Sequence, residues 1–416
     1  MPFSTLLANK ALCKIRTITT FITLEKDQTT WPYALQKANT FCQSLTADCQ
    51  QAGYTVQSIR IVTNAFGDYI NTNNLQSAQK DLRLLRSLLT PFQSSDTALR
   101  LRVAIGEAKN AHELSLVPDL IQEFGDLCNV CVNIAQDPQG FLDNQLINVA
   151  AETVQKISQI TPRGEGNFNF TVNFNCQPLI PYFPASYFDK GANHAFVIGL
   201  ETPDLLVATL KAIQQNKPNL DHQQAFSTYF QALSANLQHH VEQIKQIINA
   251  HSLEHDFEFA GLDSSAAPSK NCASMTELYE LMGVEYFGAS GTVEVSELLT
   301  RVFKSITGMP LVGFSGLMLA LTEDSGLAKG TERAQFDIRT LLTNSAVCGI
   351  GLDTVPIPGA TPTDKIAAMM RDTGTMAFKL NKPLTVRVFP VPGLAAGELT
   401  QFESDDLCNC SVLAVH

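Results

Sequence analysis

Short apolar runs rich in β-branched residues alternate with segments of helical period about ten times along this 416-residue chain. That rhythm constrains the fold more than any other feature. A strand followed by an amphipathic helix, repeated, stacks strands in parallel and leaves the helices outside the sheet. The spacing predicts strands at 15–24, 58–63, 99–105, 127–134, 168–174, 195–200, 257–262, 285–288, 310–314, 345–349 and 384–391, with 411–415 as a last edge strand. Between them it predicts helices at 31–52, 75–89, 111–124, 143–160, 203–214, 222–251, 275–282, 293–305, 331–343 and 363–380. Thr30 is placed to cap the first of these, with Pro32 in its first turn. In 222–251 the residues Phe226, Phe230, Leu233, Leu237, Val241, Ile244 and Ile248 step by three or four, which makes one apolar stripe.

So many units crowd a single open twisted sheet. A closed β/α barrel is therefore the expected fold class, with a doubly wound open sheet as the alternative. The stretches 161–167 and 215–221 are the best linker candidates, and both are short enough to be loops. The chain is read as one α/β unit over 1–416, with pseudo-halves of about 1–165 and 166–416.

The formal net charge is −11 and no Lys/Arg run occurs, so nucleic acid and anionic membrane surfaces are not expected partners. Lys10, Lys14 and Arg16 interrupt any apolar leader, and no window offers a membrane span. With ten scattered cysteines, a reducing cytoplasm without structural disulfides is the expected setting. Cys128 and Cys131 form CxxC inside an apolar run, and Cys408 and Cys410 form CxC. Neither has the second pair that a structural metal site needs, so no metal is expected.

Four expected strands of the second half end in small polar residues and glycines: Asp263, Ser264, Ser265; Ser290, Gly291, Thr292; Ser315, Gly316; and Cys348 with Asp353 beyond it. In parallel β/α units such strand ends gather on one face. Backbone N–H groups with Ser and Thr hydroxyls at a helix start suit an anion, and equally suit plain helix capping. Cys348 is the candidate nucleophile, with a buried structural thiol as the alternative. Asp353 is either a turn acceptor or a base, and Asp263, Glu323 and Asp324 join it as candidate acid/base groups. His239 and His240 are read as solvated on their helix. No GxGxxG, Walker loop, HExxH or GxSxG element occurs, so no cofactor is named.

KIRTITTFITL, GLDSSAAPS (261–269), GVEYFGASGT (283–292), VGFSGLMLALTEDSGLAKG (312–330) and AVCGIGLDTVPIPGATP (346–362) follow one another in an order that resembles the bacterial and archaeal family known as domain of unknown function 711. The resemblance covers nearly the whole chain. It implies a ten-stranded β/α barrel similar to the pyruvate formate-lyase-like glycyl radical enzymes, with two halves of five parallel strands running antiparallel. Asn175–His194 aligns with an NPFMAGAFHG-like segment of that family, and its Pro, Tyr and Phe residues suggest an aromatic wall. Two departures stand out. Ser290 replaces the His usual in a GTHGTT-like turn, and no RVxGY-like motif carries a radical glycine, so glycyl radical chemistry is not expected. The functional expectation is an enzyme or degenerate enzyme that binds a small polar or anionic molecule. The alternative is a non-catalytic, oligomeric binding or structural protein, with a homodimer as the expected assembly.

Overall fold

In the computed structural model, which describes residues 7–93, 99–215, 220–251 and 257–416, the first five predicted strands form one parallel run. They are β1 (Lys14–Ile22), β2 (Ser58–Thr63), β3 (Arg100–Glu107), β4 (Asn129–Ile134) and β5 (Phe170–Phe174). β6 (Ala195–Glu201) turns back and pairs antiparallel with β1, and β7 (Glu258–Asp263) continues parallel to β6. On the far side β9 (Leu384–Val391) pairs antiparallel with β5, and β8 (Gly351–Pro358) lies parallel to β9. The nine-stranded sheet runs β7-β6-β1-β2-β3-β4-β5-β9-β8. The segment 311–320 meets both edge strands: Leu311 bridges Leu262 of β7, and Ala320 bridges Asp353 of β8.

The strands are apolar because helices cover them. All seven residues of β6 and all eight of β9 are buried. Helix Trp31–Gln51 turns Leu35, Ala38, Phe41, Cys42, Leu45 and Cys49 inward at spacings of three and four. Side chains of Asn74, Asn110, Asp143 and Asp337 each accept a backbone N–H at a helix start, and Asp221 forms a reciprocal capping box with Gln224. Each cap contributes about 1 kcal/mol.

Several expectations fail for identifiable reasons. Residues 285–288 and 345–349 are turns, and 310–314 contributes one bridging residue rather than a strand. These stretches are short, and glycines at 288, 313 and 349 interrupt the regular backbone a ladder needs. The strand expected at 345–349 lies a few residues later, as β8. The helix expected at 331–343 is two, Ser325–Glu332 and Ile338–Asn344, broken at Ala334, whose φ is +51°. Thr30 makes no side-chain cap; its hydroxyl donates to the Asp27 carbonyl instead. His240 is fully buried, bonded at 3.0 Å to the Tyr54 hydroxyl, and burial lowers its pKa to about 4. Of the linker candidates, 162–169 is a kinked 3-10 turn, and 216–219 lies outside the described residues. No helix of the described residues is long and apolar enough to cross a membrane.

Candidate functional site

An arginine flanked by apolar neighbours recurs in three strands, Ile59-Arg60-Ile61, Leu101-Arg102-Val103 and Val386-Arg387-Val388, and Arg16 stands between Ile15 and the buried Thr17 in a fourth. Three of these guanidiniums have carboxylate partners. Arg16 meets Glu201 at 3.4 Å, Arg102 pairs with Asp406, and Arg387 holds two carboxylates. Its Nε donates to Asp353 Oδ1 and its Nη2 to Glu323 Oε1, each at 2.6 Å. Arg60 differs. It makes no ion pair with any described residue. Its Nη1 donates to the Pro181 carbonyl at 2.8 Å, Phe183 lies 4.8 Å from its guanidinium carbon, and its Nε is buried without a partner.

Arg16, Arg60, Glu323, Asp353 and Arg387 share one cavity of about 50 Å³, walled by Tyr182, Phe183, Phe314, Met318 and Ile350 among others. The cavity draws on both arms of the sheet: Arg60 stands on β2 in the five-stranded parallel run, and Arg387 and Asp353 on β9 and β8, which run antiparallel to it. Asp353 is 3% exposed, and its Oδ2 has no hydrogen-bond partner. Burial, then the like charge of Asp353, raises the Glu323 pKa, against the pull of Arg387. Burial would lower the Arg387 pKa, but the two carboxylates overturn that and raise it. Arg60 has weaker help: burial and the nearby Arg16 and Arg102 outweigh the pull of Tyr182 and Glu323 and lower its pKa to about 9, which still leaves it cationic at neutral pH.

The residues singled out from sequence fall into three places. Asp263, Ser264, Ser265, Ser315 and Gly316 do meet. The N–H groups of Ser265 and Ser315 donate to Asp263 Oδ1 at 3.0 Å, and that of Phe314 to Oδ2 at 2.8 Å. The Gly316 N–H reaches Ser265 Oγ, and the Ser264 N–H reaches Ser315 Oγ. Their polar atoms satisfy one another and lock the end of β7 to the 312–316 turn. The adjoining Ala267, Pro268 and Phe314 face the cavity. The Cys348 loop joins them through backbone, since the Gly349 N–H donates to the Leu317 carbonyl at 2.7 Å. Cys348 itself is fully buried in the core, and Lys382 reaches its carbonyl oxygen rather than its thiol. Ser290, Gly291 and Thr292 lie apart, in a surface depression beside Asp337 and Arg339. There the Thr292 hydroxyl bonds the backbone of Gly288 and Ala289, and Ser290 is exposed. Asp353 is not in a turn after a strand: it lies inside β8.

Sequence reading singled out Glu323 and Asp353 but missed Arg16, Arg60 and Arg387. The available signal was the apolar-Arg-apolar triplet, since a charge inside a buried strand needs a reason. All ten cysteines are free, and among the described residues no group of three His, Cys, Asp or Glu is placed to hold a metal.

The family model described as Uncharacterised ACR (DUF711) matches residues 7–404. The chain belongs to that family. Among its relatives, a UPF0210 protein of Oenococcus oeni is 26% identical over 278 residues, covering 65% of this chain and 59% of the relative. A UPF0210 protein of Carboxydothermus hydrogenoformans is 26% identical over 297 residues, covering 70% and 63%. One of Neisseria meningitidis serogroup B is 24% identical over 292 residues, covering 69% and 62%. The match to this DUF711 chain thus spans less than two thirds of the length of each of these relatives.

Proposed function

We propose that this DUF711 protein binds a small charged molecule in the cavity between the two arms of its sheet, with Arg60 as the anion anchor. The carrying observation is the charge of Arg60 on the cavity wall without a carboxylate partner. Each other strand arginine among the described residues faces a carboxylate within the protein; this one is left for something that enters. A single water needs roughly 10–15 Å³ of cavity, so about 50 Å³ suits a solute of a few heavy atoms rather than a nucleotide. Glu323 and Asp353, bridged by Arg387, stand at the same cavity. Burial raises the proton affinity of Glu323, which suits it to proton transfer, so the reading extends to acid–base chemistry on the bound molecule.

The reading includes a closed sheet. Segment 311–320, bridged to β7 at one end and β8 at the other, supports treating the nine strands and this segment as a barrel around the cavity, and 1–416 as one unit. The locked joint of Asp263, Ser265, Ser315 and Gly316 then acts as the support that positions one wall.

The test is calorimetric titration of acetate, as the simplest carboxylate, into wild type and Arg60→Met. Binding to wild type and loss in a variant with an unchanged circular dichroism spectrum is the expected outcome. Equal binding to both refutes Arg60 as the anchor.

A further inference from the structure

The cavity is electrically dipolar, and this narrows what it takes. At one end stands Arg60, without an ion pair; its neighbour Arg16 shares Glu201 with Lys14, which also pairs with Asp204, so those charges match. At the other end two carboxylates, Asp353 and Glu323, share the single guanidinium of Arg387. The first end therefore carries about one positive charge and the second about one negative charge. Arg60 forms no ion pair with either carboxylate, so the two ends do not neutralise one another by contact.

Asp353 adds a second, independent pointer. Its Oδ1 is engaged by Arg387, while its Oδ2 has no partner, although the residue is 97% buried by its 3% exposure. A buried carboxylate oxygen left unsatisfied costs more than a neutral one, so it calls for a donor, and best a charged donor. A simple anion would satisfy Arg60 and leave Asp353 Oδ2 facing it with like charge. A simple cation would do the reverse.

Resting on the reading of the cavity as a ligand site, we infer that its ligand is a small zwitterion, an α-amino acid of roughly glycine or alanine size. The carboxylate sits toward Arg60 and the ammonium toward Asp353 Oδ2 and Glu323. The size follows from the volume: five or six heavy atoms fill about 50 Å³ of this kind of space once the waters it replaces have left. The walls contributed by Phe183, Phe314, Met318 and Ile350 are apolar, so a larger polar side chain finds neither room nor partners there.

The experiment uses the full chain and four probes: glycine, glycolate, acetate and methylammonium, each titrated by calorimetry at neutral pH. Glycine is expected to bind at least tenfold tighter than acetate or glycolate, and methylammonium weakest. Asp353→Asn is expected to erase the glycine preference, and acetate, relieved of the like charge of Asp353, is expected to bind at least as tightly as it does to wild type. Thermal melting of the variant, with and without acetate, shows that it is folded and competent. If acetate and glycolate bind as tightly as glycine, the zwitterion inference fails and the anion site stands. If none of the four shows heat or a melting shift up to high millimolar concentration, both fail. If glycine wins but Asp353→Asn keeps that preference, the ammonium is held elsewhere and the assignment of Asp353 is overturned.

Discussion

Asp263→Asn isolates the electrostatic cost of the joint between β7 and the 312–316 turn. The carboxylate is fully buried and accepts three backbone N–H groups, from Ser265, Phe314 and Ser315. Burial raises its pKa from 3.8 to about 6, outweighing those hydrogen bonds. A raised carboxylate pKa means that the folded protein holds this proton more tightly than the unfolded chain. Its stabilising contribution is fully present below about 3.8 and is lost as the pH rises through about 6. At about 1.4 kcal/mol per unit, the shift corresponds to about 3 kcal/mol over the whole window. About 2 kcal/mol of that falls between pH values of about 4.5 and 7.5. Asparagine cannot titrate. It also replaces one acceptor oxygen with an NH₂ group, a cost of about 1–3 kcal/mol. That cost is taken as independent of pH, so it cancels when the two proteins are compared across pH. Urea unfolding of wild type and variant at about four pH values across that range gives the difference directly. Wild type is expected to gain about 2 kcal/mol on the variant as the pH falls from about 7.5 to 4.5. A flat difference, or one that grows toward high pH, would show that the three N–H bonds win and Asp263 stays ionised.

Arg387→Met leaves Asp353 and Glu323 buried without their cation and should destabilise by about 3–5 kcal/mol in denaturant titration. An unchanged midpoint would mean that the two carboxylates find another partner or take up protons without cost. Gly351→Ala places a side chain at φ +95°, where its Cβ would lie 2.8 Å from the Thr385 nitrogen. A loss of at least about 1–3 kcal/mol is expected, and a neutral variant would contradict the close approach of β8 to β9. In native protein a thiol reagent should leave Cys348 unmodified while the part-exposed Cys272 and Cys408 react first, as read by peptide mass mapping. Rapid native labelling of Cys348 would revive its candidacy as a nucleophile.

The strands and helices with long, regular apolar periods were readable from sequence to within a residue or two: Ser58–Thr63, Leu75–Leu89, Ala111–Phe124 and Leu384–Val391 came out at those bounds. Their periodicity records direct burial against neighbours, which is a local signal. Between Gly283 and Gly349 the helix expected at 293–305 came out within a residue, as Thr292–Lys304, but the strands expected there did not form. There the chain is held by glycine turns and side-chain-to-backbone bonds such as those of Asp263, whose partners lie about fifty residues away. The Ser-Gly clusters were read together as an anion site or as helix caps; two of the three sets interlock instead, and the third shapes the start of helix Thr292–Lys304. Asp353 was singled out and assigned to a turn because the Cys-Gly-Ile-Gly run ahead of it looked like the strand. The strand begins at Gly351, and the cue was Val355, Pro356 and Ile357 beyond it. The arginines of β1, β2 and β9 went unremarked because each is an isolated charge in a β-branched run, with only Lys14 beside Arg16 in β1, and their meaning emerges only when the fold brings them to one cavity.

The antiparallel seams have a consequence during synthesis. Lys14 of β1 waits for Glu201, 187 residues later, and Thr171 of β5 waits for Val386, 215 residues later. At roughly 5–20 residues per second, a ribosome takes on the order of 10–40 s to deliver the β9 strand that covers β5. For that interval the β5 margin of the nascent sheet stays bare and apolar, open to the wrong neighbour, while the β1 margin is open only until β6 pairs with it. Slowing elongation after residue 174 prolongs this exposure, so yield in a cell depends on translation speed and on whatever shields the emerging β5 margin.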